Sequence, residues 1–176
     1  MSPWATRCGL DTEFIGKIGR DRFGQLAQED LEKEHVTSHF VETDEHLTGC
    51  VAVFVDQTGE RSMVSGRGAD FYLLPSEVPK ETVRRAGHLH MTAWSFFVDP
   101  PRSAARAAAH LAQDCGATLS FDPGSFQMIE EMGVNQFLAV TQDLGIDIFL
   151  PNYQEGEVLT GLDEPEAIAA ALAKLY

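Results

Sequence analysis

The chain has 176 residues, 44% of them hydrophobic and 23% charged, which suits one soluble globular domain able to bury a core. Its 13 Lys and Arg stand against 27 Asp and Glu, a formal charge of −14. No basic stripe is available to neutralise a phosphate backbone or meet an anionic membrane, so nucleic-acid and membrane-surface roles are disfavoured.

Cys8, Cys50 and Cys115 are odd in number, far apart and outside metal-ligand spacing, as expected for free thiols in a reducing compartment. The Met1 region lacks a basic segment followed by an apolar one, and no apolar run reaches the length of a membrane span. The expectation is a cytoplasmic protein.

In chain order, Thr12–Gly19 predicts a short strand. Arg20–His35 predicts an amphipathic helix with Phe23, Leu26, Ala27 and Leu31 on one stripe. Strand Gly87–Trp94, helix Pro101–Asp114 and strand Thr118–Asp122 follow. A helical stretch over Ser125–Leu144 is interrupted near Gly133, then strand Ile146–Leu150 leads towards a closing helix, Glu164–Leu175. Strands separated by helices predict right-handed crossovers and a mainly parallel sheet covered on both faces, a three-layer α/β/α arrangement.

One segment departs from that rhythm. His39–Glu42, Gly49–Asp56 and Glu60–Ser65 are strand-like with no helix between them, and Asp56-Gln57-Thr58-Gly59 has hairpin-turn chemistry. The pattern predicts a small antiparallel insert. In its middle strand Val51, Val53 and Val55 point one way while Cys50, Ala52 and Phe54 point the other, so both faces call for cover. A cleft beneath the insert, or a second subunit, would supply it.

Several positions carry chemistry. Asn152 and Glu155 follow strand Ile146–Leu150 at the carboxyl end, where parallel sheets bind ligands; their spacing is also that of a helix capping box. Asp122 ends its strand on the same side and also suits capping of the next helix. His88 and His90 alternate on one strand face, an arrangement open to metal ligation but simpler as buried or interface histidines. Gly16, Gly19 and Gly24 match neither a Walker A loop nor a dinucleotide fingerprint and suit packing and turns.

The block Phe14-Ile15-Gly16-Lys17-Ile18-Gly19, with Asp21 and Phe23-Gly24, resembles one in the ribokinase-like, PfkB-type carbohydrate kinases. The resemblance continues in order through Thr48-Gly49, Gly59-Glu60-Arg61, Arg67-Gly68-Ala69, Ser120-Phe121-Asp122-Pro123, Pro151-Asn152-Tyr153-Gln154-Glu155 and Leu159-Thr160-Gly161, spanning roughly residues 8–165. It implies one partial ribokinase-like domain over residues 1–176, with a β lid at 39–70.

The implied reaction is ATP-dependent phosphorylation of a sugar or sugar-like alcohol, with ATP and Mg2+ as cofactors. Asn152 and Glu155 are implied in the phosphate and magnesium environment, without a direct metal-ligand set, and Asp122 at the active-site floor. Thr48, Gly49, Arg67, Gly68 and Ala69 are implied as lid hinges or substrate contacts, with a homodimer through the lid. A nucleoside or polyol acceptor, or a catalytically dead binding or interaction module, is the alternative. The family's usual Asp-Pro-Asn-x-Arg is replaced here by Asp122-Pro123-Gly124, with Gln127 at about the arginine position. By the resemblance, the Gly-Gly sugar-binding segment is expected before residue 8. The Gly-Ala-Gly-Asp anion hole, with its catalytic aspartate, and most of the nucleotide pocket are expected after residue 176. The chain alone is expected to be inactive.

Overall fold

A computed structural model describes residues 2–176. Close contacts gather the chain into two compact units, one running to Pro79 and the other from Lys80 to Tyr176.

In the first unit a short helix α1 (Ser2–Arg7) precedes strand β1 (Glu13–Gly19), helix α2 (Arg22–Lys33) and strand β2 (Thr37–Thr43). Asp21 sets the start of α2: its carboxylate accepts the Gly24 N–H at 2.9 Å, satisfying one of the orphan donors of the first turn. The helix ends two residues short of the predicted His35, which turns out of it at φ 57°. Phe23, placed on the apolar stripe by sequence, is 60% exposed; Leu26, Ala27 and Leu31 are half-buried.

The antiparallel insert is smaller than predicted. The segment containing His39–Glu42 pairs parallel with β1, in register from Glu13 opposite Thr37 to Gly19 opposite Thr43. The reason is α2, which carries the chain back so that β2 runs in the same direction as β1. Antiparallel pairing is confined to β3 (Cys50–Val55) and β4 (Arg61–Gly66), joined by a turn in which Asp56 accepts the Thr58 and Glu60 N–H groups. Both faces of this hairpin are uncovered within the chain: Val51, Val53, Val55, Phe54, Met63 and Val64 are all exposed.

The base of the hairpin is held by glycines and one threonine. Thr48 N–H donates to the second Asp21 oxygen at 2.7 Å, and Thr48 Oγ1 accepts the Gly19 N–H at 2.9 Å. Ala69 N–H donates to Leu47 O at 2.7 Å, so the chain entering β3 is tied to the chain leaving β4. No side chain fits there: a Cβ on Gly68 would lie 2.2 Å from Gly49 N and 2.5 Å from Leu47 O, and one on Gly24 would lie 2.3 Å from Gly19 O. Gly19 and Gly24 are thus packing glycines, as the sequence suggests. Nearby, the Lys17 side chain is 9% exposed and bonds both Glu77 oxygens, at 2.6 and 2.9 Å, and Tyr72 O.

In the second unit, helix α3 (Lys80–Arg85) leads into strand β5 (His88–Thr92), helix α4 (Pro101–Asp114) and strand β6 (Thr118–Asp122). Helices α5 (Phe126–Met132) and α6 (Val134–Thr141) part at Gly133, whose φ of 88° no helix accommodates. Strand β7 (Ile148–Phe149) and helices α7 (Tyr153–Thr160) and α8 (Pro165–Leu172) complete the unit. The sheet order is β5-β6-β7, all parallel. β7 is shorter than predicted, although Asp147 N–H and Leu150 N–H still bond Leu119 and Phe121 carbonyls of β6.

Buried Ala104, Ala108, Ala109 and Ala112 line the inner side of α4, which packs on β5 and β6. Phe121 of β6 meets Phe96 edge-on at 5.2 Å and Phe137 at 6.3 Å, and all three rings are fully buried. The Tyr176 ring stacks on Phe149 at 4.1 Å while its hydroxyl pairs with Thr141 Oγ1 at 2.7 Å; burial pushes its pKa up to about 12.

Gly68→Ala should force the two chain segments at the hairpin base apart. Overpacking against backbone typically costs about 1–3 kcal/mol, and about 2–4 °C of melting temperature per kcal/mol is expected at this size. Gly87, with no heavy atom within 4 Å of its missing Cβ, is the control, and Gly87→Ala should melt close to the parent. Equal melting of both variants would show that the junction tolerates a methyl group.

Candidate active site

Three parallel strands in one sheet bring their carboxyl ends to one edge, and there the second unit opens a cleft of about 360 Å³. Thr92 ends β5 directly opposite Asp122, which ends β6. Leu150 follows β7, and Asn152 and Glu155 begin α7. The sequence predicts Asp122, Asn152 and Glu155 as site residues, and the structure brings all three to this cleft. Trp94 and Gly124 complete the lining.

Asn152 and Glu155 form the reciprocal cap that their spacing predicts. Asn152 Oδ1 accepts Glu155 N–H at 2.9 Å, and Glu155 Oε2 accepts Asn152 N–H at 2.9 Å. Helix α7 is pinned further along by Gly156, where a Cβ would come within 2.6 Å of Ile168 on α8. Each capping side chain keeps a second polar group, Asn152 Nδ2 and Glu155 Oε1, without a hydrogen-bond partner among the described residues. The local role and a ligand role are therefore compatible.

Glu155 is only 3% exposed. Burial raises its pKa above the usual carboxylate range, and the nearby Asp122 charge adds to the shift, against the Asn152 N–H bond that lowers it. Asp122 does not cap α5. Ser125 does that, and Asp122 instead accepts the Gly124 N–H at 2.9 Å in a local turn.

A buried carboxylate beside a second one is a pair that a divalent cation would stabilise. Among the described residues no group of three or more His, Cys, Asp and Glu is arranged as a metal cage. Two carboxylates in an open cleft fit Mg2+, which keeps several waters and is completed by phosphate oxygens.

The sequence-predicted hinge residues lie in the first unit. Thr48, Gly49, Gly68 and Ala69 meet at the hairpin base, and the exposed Arg67 guanidinium lies over the Phe71 ring at 5.1 Å. His88 and His90 are joined through a shared hydrogen-bond partner. Ser120 Oγ bonds His88 Nε2 at 2.7 Å and His90 Nδ1 at 2.8 Å, and Thr118 Oγ1 takes the other His88 nitrogen. The sequence reading missed Thr92, Trp94 and Leu150 as site residues. Their signal was positional, since each stands at or within two residues of a predicted strand's carboxyl end.

Folding raises the Glu155 pKa, so ionising this carboxyl destabilises the folded state. Its contribution is full below the unfolded carboxylate pKa and is lost as pH rises through the elevated folded value. Glu155→Gln keeps an oxygen to accept Asn152 N–H and removes the charge. It should fold, with a melting temperature that depends less on pH than the parent's as pH rises above the ordinary carboxylate range. Glu155→Ala loses the cap as well, at a cost of about 1 kcal/mol. A parent-like pH profile in Glu155→Gln would contradict the raised pKa.

The chain is 29% identical over 158 residues to an uncharacterized sugar kinase of Archaeoglobus fulgidus, covering 90% of this chain and 60% of that protein. It is 32% identical over 168 residues to fructokinase-1 of Zea mays, covering 92% of this chain and 51% of the other. A solved structure described as ribokinase II from E. coli, in complex with ATP and Mg2+, matches with a TM-score of 0.84 at 22% identity, over 98% of this chain and 56% of that one. That likeness shows a ribokinase-like α/β fold. The chain spans about half to three-fifths of the length of these relatives. The family model for pfkB family carbohydrate kinases matches residues 4–176, which takes in both glycine-rich strand β1 and the capped helix α7, and the chain belongs to that family.

Proposed function

We propose that the chain is the central part of an ATP-dependent kinase that moves the γ-phosphoryl group of ATP to a hydroxyl of a sugar or sugar-like alcohol. The observation that carries this reading is the convergence of Asp122, Asn152 and Glu155 at the carboxyl ends of three parallel strands. Its support is the family membership and the naming of curated relatives as sugar kinases and fructokinases.

Magnesium, when bound, neutralises charge on the phosphoryl group in transit. Glu155 Oε1 and Asp122 would hold it with water and phosphate oxygens, and the free Asn152 amide would donate to the phosphate. The cap keeps Glu155 aimed, because one of its oxygens is already fixed to the helix that carries it. In the transfer, the acceptor hydroxyl oxygen bonds to the γ-phosphorus as the bond to the β–γ bridging oxygen breaks and ADP leaves. The hydroxyl proton passes to a carboxylate that the family resemblance places outside these 176 residues.

The exposed β3–β4 hairpin is read as the lid that covers the sugar or meets a second copy, supported by two apolar faces with no cover. Val53→Asp should then weaken self-association in light scattering or sugar affinity in a binding titration. No change in either would remove the hairpin from the functional account.

The isolated 176-residue chain should not turn over. Losing a general base alone typically costs about 10²–10⁴-fold in rate. ADP release measured with fructose, ribose, a polyol and adenosine should stay at the background without acceptor. Clear acceptor-dependent turnover would overturn the placement of the proton acceptor outside this segment and would identify the acceptor class.

A further inference from the structure

Trp94 stands just past β5 in the cleft, 45% exposed, and no step of the proposed transfer uses it. Its indole has two close neighbours. Phe97 meets it edge-on at 5.8 Å and 82°. The pyrrole edge lies against Gly124, whose left-handed φ of 75° is set in the Asp122 turn. A Cβ at Gly124 would lie 3.1 Å from Trp94 Nε1 and 3.2 Å from Cδ1, so the absence of a side chain there makes room for the pyrrole edge of the ring. The indole N–H has no hydrogen-bond partner among the described residues.

The cleft lining contains two carboxylates and neither Lys nor Arg. A phosphate group entering it needs a cation against Asp122 and Glu155, and the side-chain donors that this lining offers its remaining oxygens are neutral. Those donors are the Asn152 amide, the Thr92 hydroxyl and the Trp94 indole. Of these, the indole is a donor-only group on a rigid ring, so little side-chain freedom is lost when it bonds a ligand. We propose that Trp94 is a ligand-contact residue whose indole N–H donates to a phosphoryl oxygen of a nucleotide bound as its magnesium complex. This rests on the phosphotransfer reading and adds to it a neutral donor from this segment.

The chain has two tryptophans, Trp4 and Trp94, so Trp4→Phe leaves Trp94 as the sole emitter. Its fluorescence should change saturably when ATP and Mg2+ are added together, and not with either alone. In calorimetry, Trp94→Phe keeps the ring contact with Phe97 but lacks the N–H, and should bind magnesium-ATP about tenfold more weakly. Gly124→Ala, which displaces the indole, should show the same loss, with thermal unfolding of each variant confirming the fold. If the parent binds magnesium-ATP and Trp94→Phe matches it within about twofold, the indole is not the donor and the inference falls while the phosphotransfer reading stands. If neither this chain nor the full-length protein that contains it binds magnesium-ATP, that reading falls and takes the inference with it.

Discussion

Parallel strand pairing is the constraint from which the candidate site follows. Because β5, β6 and β7 run in one direction, every loop leaving a carboxyl end emerges on the same edge. The register decides which residues meet there: Thr92 stands opposite Asp122, and Phe121 opposite Phe149. Phe121, just before the end of β6, is fully buried against Phe96 and Phe137, and Leu119 on the same strand is fully buried too. The apolar layer thus fixes the strand ends, and the polar groups one residue further on inherit that position.

The capping box at Asn152 and Glu155 joins stability to chemistry in the same atoms. One oxygen of each side chain satisfies a backbone N–H that would otherwise be an orphan at the start of α7. Burial of Glu155 makes its ionised form costly, and the same burial strengthens its attraction for any cation that enters. A site built this way is rigid because removing either side chain also frays a helix.

Much of this was legible locally. Helix Pro101–Asp114 and strand Thr118–Asp122 follow from proline at a helix start, an alanine-rich stripe and a short apolar run, all local signals. Asn152 and Glu155 could be found because a cap leaves a three-residue spacing in the sequence. The parallel partnership of β2 with β1 was not legible, since strand-like residues do not state which neighbour they pair with or in which direction. Phe23 was misplaced for a related reason: periodicity predicts a stripe, but the side of α2 that packs is chosen by glycines 19 and 24 drawing the helix onto the strand end. Trp94 escaped notice because its setting depends on space left by a glycine some thirty positions away.

The β3–β4 hairpin bears on how the chain behaves in solution. A two-stranded sheet has an unpaired backbone edge along each strand, and here both faces beside those edges are apolar and exposed. Charges sit mainly at its tip, in Asp56, Glu60 and Arg61, which leaves the middle without gatekeepers against edge-to-edge pairing. Repulsion among copies must come from the formal charge of −14 carried by the molecule as a whole. That repulsion reaches only about 8 Å at physiological ionic strength and about 3 Å in molar salt. Colloidal stability of this protein is therefore a salt-sensitive property, set by the balance between a short sticky ribbon and a diffuse anionic surface.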